Sequence, residues 1–161
     1  MSKFAKPLML ATVLALFAAA LPLHAEVTAK LTASKVVKSA DKESLVSAEQ
    51  VKPGDVVEYT ATYQNAGSSA VHSVKANLPI PPGMEIVPDS ARPSDVLASA
   101  DGTNFAKMPL KQMVKGRDGK TVEQLVPYSE YRALRWNLGE LPTGASKAVT
   151  ARMKVIAPTT R

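Results

Sequence analysis

The sequence contains no cysteine. That absence excludes disulfide staples, thiolate metal sites, a cysteine nucleophile and lipid attachment through an N-terminal cysteine. Histidine is almost as scarce, with His24 and His72 only. Beyond residue 25, His72 stands alone, so neither a histidine-rich metal centre nor a histidine-based triad is expected. Aromatic residues make up 5% of the chain, too few for a platform on which several bases would stack. The formal charge is +6, falling to +4 once Lys3 and Lys6 are set aside. Such a mild excess, without clustered charge and interleaved aromatics, argues against nucleic acid as a partner and suits an anionic surface. No long apolar run follows residue 25.

The one long apolar run lies at the start. Lys3 and Lys6 form a positive leader, Leu8 to Leu21 is an uncharged stretch of 14 residues, and Pro22 interrupts it before Leu23-His24-Ala25. This is the layout of a secretory signal peptide. The run is short for a spanning helix, which needs about 20 apolar residues, so an uncleaved membrane anchor is the lesser alternative. Cleavage is expected after Ala25, because Val27 already begins the next pattern, with Ala18-Ala19-Ala20 as a second candidate. Residues 1–25 are thus expected to be a targeting segment and residues 26–161 a single exported domain, periplasmic or extracellular. A domain of that size hides roughly two-thirds of its unfolded surface and needs no staple. It is expected to be soluble, without stable membrane insertion.

Within it the dominant period is two. Val27, Ala29, Leu31 and Ala33 alternate with polar residues as a first strand, and Ser39 to Gln50 reads as a polar connection. Pro53-Gly54-Asp55 opens a second strand whose inward set is Val57, Tyr59, Ala61 and Tyr63; a slip of one residue would turn that set outward. Val74, Ala76, Leu78 and Ile80 form a third strand, stopped by Pro79, Pro81, Pro82 and Gly83, and a short strand follows at Met84 to Val87. Ala91 to Met108 is irregular. Lys111–Lys115 and Thr121–Val126 flank Gly116-Arg117-Asp118-Gly119-Lys120, a hairpin signal because an Asp-Gly step tolerates positive φ. Leu134, Trp136 and Leu138 alternate inward, Leu141-Pro142-Thr143-Gly144 turns, and Val149, Ala151, Met153 and Val155 complete the series. Tyr128 to Arg132 has room for one helical turn. Seven to eight short strands with no intervening helix, and no internal repeat, predict an all-β antiparallel sandwich.

The segment from Val51 to Ser90, with Pro53-Gly54-Asp55, Asn65-Ala66-Gly67, Leu78-Pro79 and Pro82-Gly83-Met84, resembles the conserved repeat domain family known as domain of unknown function eleven. So does the segment from Trp136 to Val155, through Leu138-Gly139 and Thr143-Gly144-Ala145. Together the two cover 60 residues and span about 100, from Val51 to Val155. The resemblance implies an immunoglobulin-like sandwich in a bacterial surface, secreted or envelope protein, and it implies no catalytic residues. The chain departs from the family pattern by holding one copy where relatives often hold several. It also has Ala76-Asn77 where an aspartate is usual, and a longer and more basic stretch from Asp95 to Arg135.

The remaining candidates divide into scaffold and contact residues. Asp55, Asp101 and Asp118 sit beside turn glycines and are expected to bond backbone groups there. His72, in a polar strand position beside a turn, is expected to be solvated, and Trp136, flanked at two-residue spacing by leucines, to anchor the core. Leu141-Pro142-Thr143-Gly144 faintly resembles a sortase signal but lacks a residue of it and any apolar tail, so it reads as a turn. No pair of carboxylates or nucleophile–base set stands out, and neither a catalytic role, a cofactor nor a metal is expected. Lys107, Lys111, Lys115, Arg117 and Lys120 lie within 14 residues that hold one acid, Asp118. They are either a contact arm for an envelope protein or anionic envelope polymer, or lysines that keep a strand edge from pairing. The function expected is a non-enzymatic binding module of the envelope. The alternatives are a structural unit of a larger surface assembly and an enzyme of unrecognised type.

Overall fold

The computed structural model describes residues 27–40, 42–117 and 119–157. The expected leader and its cleavage sites, and Asp118, lie outside them. Period-two alternation is expressed as eleven strands: β1 Val27–Ser39, β2 Lys42–Ser47, β3 Val56–Asn65, β4 Val71–Pro79, β5 Met84–Ile86, β6 Leu97–Ser99, β7 Ala106–Lys107, β8 Lys111–Lys115, β9 Thr121–Leu125, β10 Ala133–Leu141 and β11 Ser146–Val155. Among the described residues a single 3-10 turn, Tyr128–Glu130, precedes β10.

The strands form two antiparallel sheets and a separate ribbon. One sheet has the order β2-β1-β3-β11-β5, the other β4-β10-β6-β7, and β8 pairs only with β9. The long sheets face each other with β4 over β3 and β10 over β11, an all-β sandwich. The inward sets follow the alternation: Val57 and Ala61 of β3, Val74, Ala76 and Leu78 of β4, Leu134, Trp136 and Leu138 of β10, and Val149, Ala151 and Met153 of β11 are all buried. Tyr59 and Tyr63 pack against this core while remaining partly exposed. Each fully buried Leu, Met or Val removes enough apolar surface from water to contribute about 1.5–3 kcal/mol. Trp136, the largest of them, is 1% exposed and donates its indole N–H to the Pro93 carbonyl at 2.7 Å. It is the expected core anchor.

Two regions differ from the sequence reading. The stretch Ser39 to Gln50 is not merely a connection: β1 runs to Ser39, and Lys42–Ser47 folds back on it as the edge strand β2. Its alternation was masked by polar residues because it is exposed throughout. The irregular stretch from Ala91 to Met108 likewise contains β6 and β7, of three and two residues, too short to show a period. A second consequence concerns β1. Ala29, Leu31 and Ala33 pair with Tyr63, Ala61 and Tyr59, and so share the core-facing side of the sheet. The opposing sheet ends at β4, so this side of β1 overhangs, and Leu31 is 52% exposed.

The turns that carry the sequence signature meet at the ends of the sandwich. Asn65 is fully buried, and its side-chain amide donates to the carbonyls of Ser69 at 2.7 Å and Leu141 at 2.9 Å while its Oδ1 accepts from the Gly67 N–H. Its backbone carbonyl accepts from Gly144, and its N–H donates to Ala145. One asparagine therefore joins the Asn-Ala-Gly turn to the Thr-Gly-Ala turn nearly 80 residues later in the chain. At the other end, Gly54 (φ 93°) donates to Val155 and Val155 donates back to Asp55. The Asp55 carboxylate accepts from the Lys52 N–H at 2.9 Å and the Lys35 ammonium at 2.7 Å, and these contacts, the lysine first, hold it below its ordinary acidity range. Across from Tyr63, the Lys147 ammonium donates to the Leu138 and Glu140 carbonyls, where β10 is irregular around Gly139.

Candidate contact surface

Among the described residues, the β8–β9 ribbon is the one paired element that belongs to neither sheet. Its base is built into the sandwich. Leu110 and Val126, the residues that flank it, are each 7% exposed, and the Val126 N–H donates to the Leu110 carbonyl at 2.9 Å. The Leu110 N–H in turn donates to the phenolic oxygen of the fully buried Tyr131 at 2.6 Å. Burial raises the pKa of that phenol, which keeps it neutral as an acceptor. Beyond this plug the chain pairs in strict register from Lys111↔Leu125 to Lys115↔Thr121. The turn closes with Gly116 donating to Lys120 and Gly119 (φ 78°) donating back to Gly116.

Register assigns the two faces. Lys111, Met113 and Lys115 share one face with Thr121, Glu123 and Leu125; Gln112 and Val114 share the other with Val122 and Gln124. Neither face is covered: Met113 is 66% exposed, Leu125 56% and Val122 49%. An isolated two-stranded ribbon is marginal in water, so anchoring at Leu110, Val126 and Tyr131 is what keeps it formed.

The five basic residues singled out in the sequence are not one cluster. Lys107 lies on β7, at the edge of the four-stranded sheet, paired with Leu97. Lys111, at the foot of the ribbon, forms an ion pair with Glu123 at 2.7 Å. Lys115, Arg117 and Lys120 come together at the tip, on the last paired residue of β8 and in the turn itself. Lys115 and Arg117 have no ion-pair partner among the described residues. The exposed apolar residues Met113, Val122 and Leu125 were missed by attention to charge. Their signal was present in the alternation of lysine with methionine through Lys111, Met113 and Lys115.

A tightly bonded loop lies beside the ribbon's base. The Asp101 carboxylate accepts from the Asn104 side-chain amide, the backbone N–H groups of Asn104 and Thr103, and the Ser99 hydroxyl. These donors, the Asn104 amide foremost, hold it far below the ordinary carboxylate range. Phe105, four residues on, lies under the Arg135 guanidinium, 3.6 Å from the ring centre, and Arg135 donates to Asn77 Oδ1 at 2.7 Å. The loop is thereby stitched to β10 and β4. A shallow cavity of about 280 Å³ opens between this loop and the ribbon, lined by Asp101, Asn104, Phe105, Leu110, Lys111 and Val126.

The other polar candidates are occupied by structural tasks. Asp55 and Asp101 bond turn backbone, as expected from their place before or after glycine. His72 is 71% exposed in its side chain and lies 3.4 Å from the Glu140 carboxylate. Tyr63 donates its hydroxyl to the Asn77 carbonyl and accepts from the Asn77 N–H, blocking part of the outer edge of β4. On the far side of the molecule Arg152 bridges Glu58 and Glu43, each at 2.9 Å, tying β11 through β3 to the edge strand β2. No group of three or more metal-ligating carboxylates or histidines occurs among the described residues. No described helix is long and apolar enough to cross a membrane. No protein-family model, curated protein or solved structure matches the chain.

Proposed function

We propose that the chain is a non-enzymatic binding module of the bacterial cell envelope, an immunoglobulin-like sandwich exported by its leader, with the β8–β9 ribbon as its contact arm. The observation that carries this reading is the ribbon's construction. It is anchored by a buried plug, belongs to neither sheet, and exposes both faces together with a basic tip. The leader-like residues 1–25 and the resemblance to the family of domain of unknown function eleven support the envelope assignment. The structural duties of Asn65, Asp55 and Gly144 support reading that family's signature as scaffold, which leaves the Asp95-to-Arg135 stretch for what is particular to this chain. Basic residues at a projecting tip attract an anionic partner over several ångströms, an effect that salt weakens.

The test is charge reversal at the tip, Lys115→Glu, Arg117→Glu and Lys120→Glu together. Association with an envelope fraction at low salt should be lost while the unfolding midpoint stays put. Unchanged association would return these residues to the role of solvated edge protection.

A second reading, a structural unit of a larger surface assembly, is favoured by the overhang of β1 and β2, where Leu31 and Val46 lie exposed on the core-facing side. It requires self-association or a co-purifying surface protein. Sedimentation as a monomer at high concentration, with no such protein recovered, would count against it.

A further inference from the structure

We infer that the β8–β9 ribbon docks on an anionic lipid bilayer surface through one face, with Met113 and Leu125 entering the headgroup layer and Lys115, Arg117 and Lys120 meeting lipid phosphates. This rests on the contact-arm reading above and names its partner.

The choice of lipid over an acidic polymer or protein segment follows from what alternates with the charge. A polyanion needs only cations along its track. This ribbon places an apolar residue between two lysines on one face, through Lys111, Met113 and Lys115. It sets Leu125 diagonally across from Met113, with the Lys111–Glu123 ion pair spanning the other diagonal between them. On the opposite face Val122 sits directly across from Val114, beside the uncharged pair Gln112 and Gln124, and stays outside the contact. Met113 and Leu125 are 66% and 56% exposed, two of the seven large apolar residues exposed on the described surface. Leaving them in water has a cost that a purely electrostatic contact would not recover. Insertion at a bilayer interface recovers it, and cations beside the inserted residues add attraction to anionic headgroups.

The acids in reach do not oppose this. Glu123, on the face of Met113 and Leu125, is neutralised across the strand by Lys111 at 2.7 Å. Asp118 is the one acid in the turn sequence, against Arg117 and Lys120 in the same five residues. The ribbon contains no tryptophan or tyrosine, the residues that anchor deeply at bilayer interfaces, so the attachment is shallow and reversible. The stiff base at Leu110, Val126 and Tyr131 lets the tip meet a surface without ordering a flexible loop at the moment of binding.

The lack of cysteine makes a clean test possible, since any introduced cysteine is unique. The full chain carrying Met113→Cys is labelled with an environment-sensitive fluorophore. A second preparation carries Ala148→Cys, on the exposed outer side of β11. Both are titrated with vesicles of phosphatidylcholine alone and of phosphatidylcholine with 30% phosphatidylglycerol. The label at 113 should shift to the blue on the anionic vesicles and not on the neutral ones, and the label at 148 should not shift. Adding Lys115→Gln, Arg117→Gln and Lys120→Gln should raise the lipid needed for half the shift about tenfold or more. Attachment through any other segment leaves the label at 113 unmoved or moves the label at 148, and either result overturns the proposal, as does an equal shift on neutral vesicles. If the label at 113 responds to soluble polyglutamate but not to anionic vesicles, the lipid assignment fails while the contact arm stands. If it responds to neither, and charge reversal leaves envelope association intact, the contact arm fails as well.

Discussion

The sandwich and the ribbon are both antiparallel β-structure, yet they obey different rules. In the sandwich each inward residue meets another sheet, so Trp136, Leu134, Val149, Ala151 and Met153 are essentially inaccessible, and the turns are cross-linked by buried polar groups such as Asn65. In the ribbon the same alternation leads nowhere: Met113, Leu125 and Val122 point into water on either side. What differs is the presence of a second layer, not the propensity of the strands. A segment that keeps large apolar residues without covering them is a candidate for intermolecular contact.

The comparison predicts a steep gradient of effects. Trp136→Ala removes the largest buried side chain and leaves the Pro93 carbonyl unpaired, so it should cost about 3–5 kcal/mol in denaturant unfolding. A loss under about 1 kcal/mol would mean that the two sheets are not held as described.

A smaller effect belongs to the seam between the two regions. Asp101 has its folded-state pKa lowered, so the folded chain resists protonation there more than the unfolded chain does. Its contribution is complete above the ordinary value of 3.8 and is lost as the pH falls below it. Unfolding followed at pH 7 and pH 2 should show the wild type losing more stability than Asp101→Asn over that interval. Equal losses would remove Asp101 as the lock of the loop at the ribbon's base.

How far the sequence was legible follows the same division. The strands of the sandwich could be read because burial on one face forces apolar residues to every second position, as at Val74, Ala76 and Leu78. The hairpin was legible through its glycine-rich turn, and its observed strands match the expected ones to within a residue at Val126. The edge strand β2 was not, since an exposed strand has no inward set to betray it. β6 and β7 were too short for any period, and the overhang of β1 depends on where the opposing sheet stops, a tertiary fact that β1 itself does not encode. At the candidate site, charge drew attention to Lys107, which the fold sends to another sheet. The apolar partners in the ribbon were overlooked because each alone looks like an ordinary strand residue.

The most direct test of the division between scaffold and contact arm is excision. Residues 111–125 are replaced by Asn-Gly, joining Leu110 to Val126, whose existing hydrogen bond already has the geometry that such a two-residue turn closes. Unfolding stability and envelope association are then measured on the same preparation. Stability should change by no more than about 1 kcal/mol, the scale of loop shortening, while association is lost. An excised chain that fails to fold, or that still associates as the wild type does, would contradict the account.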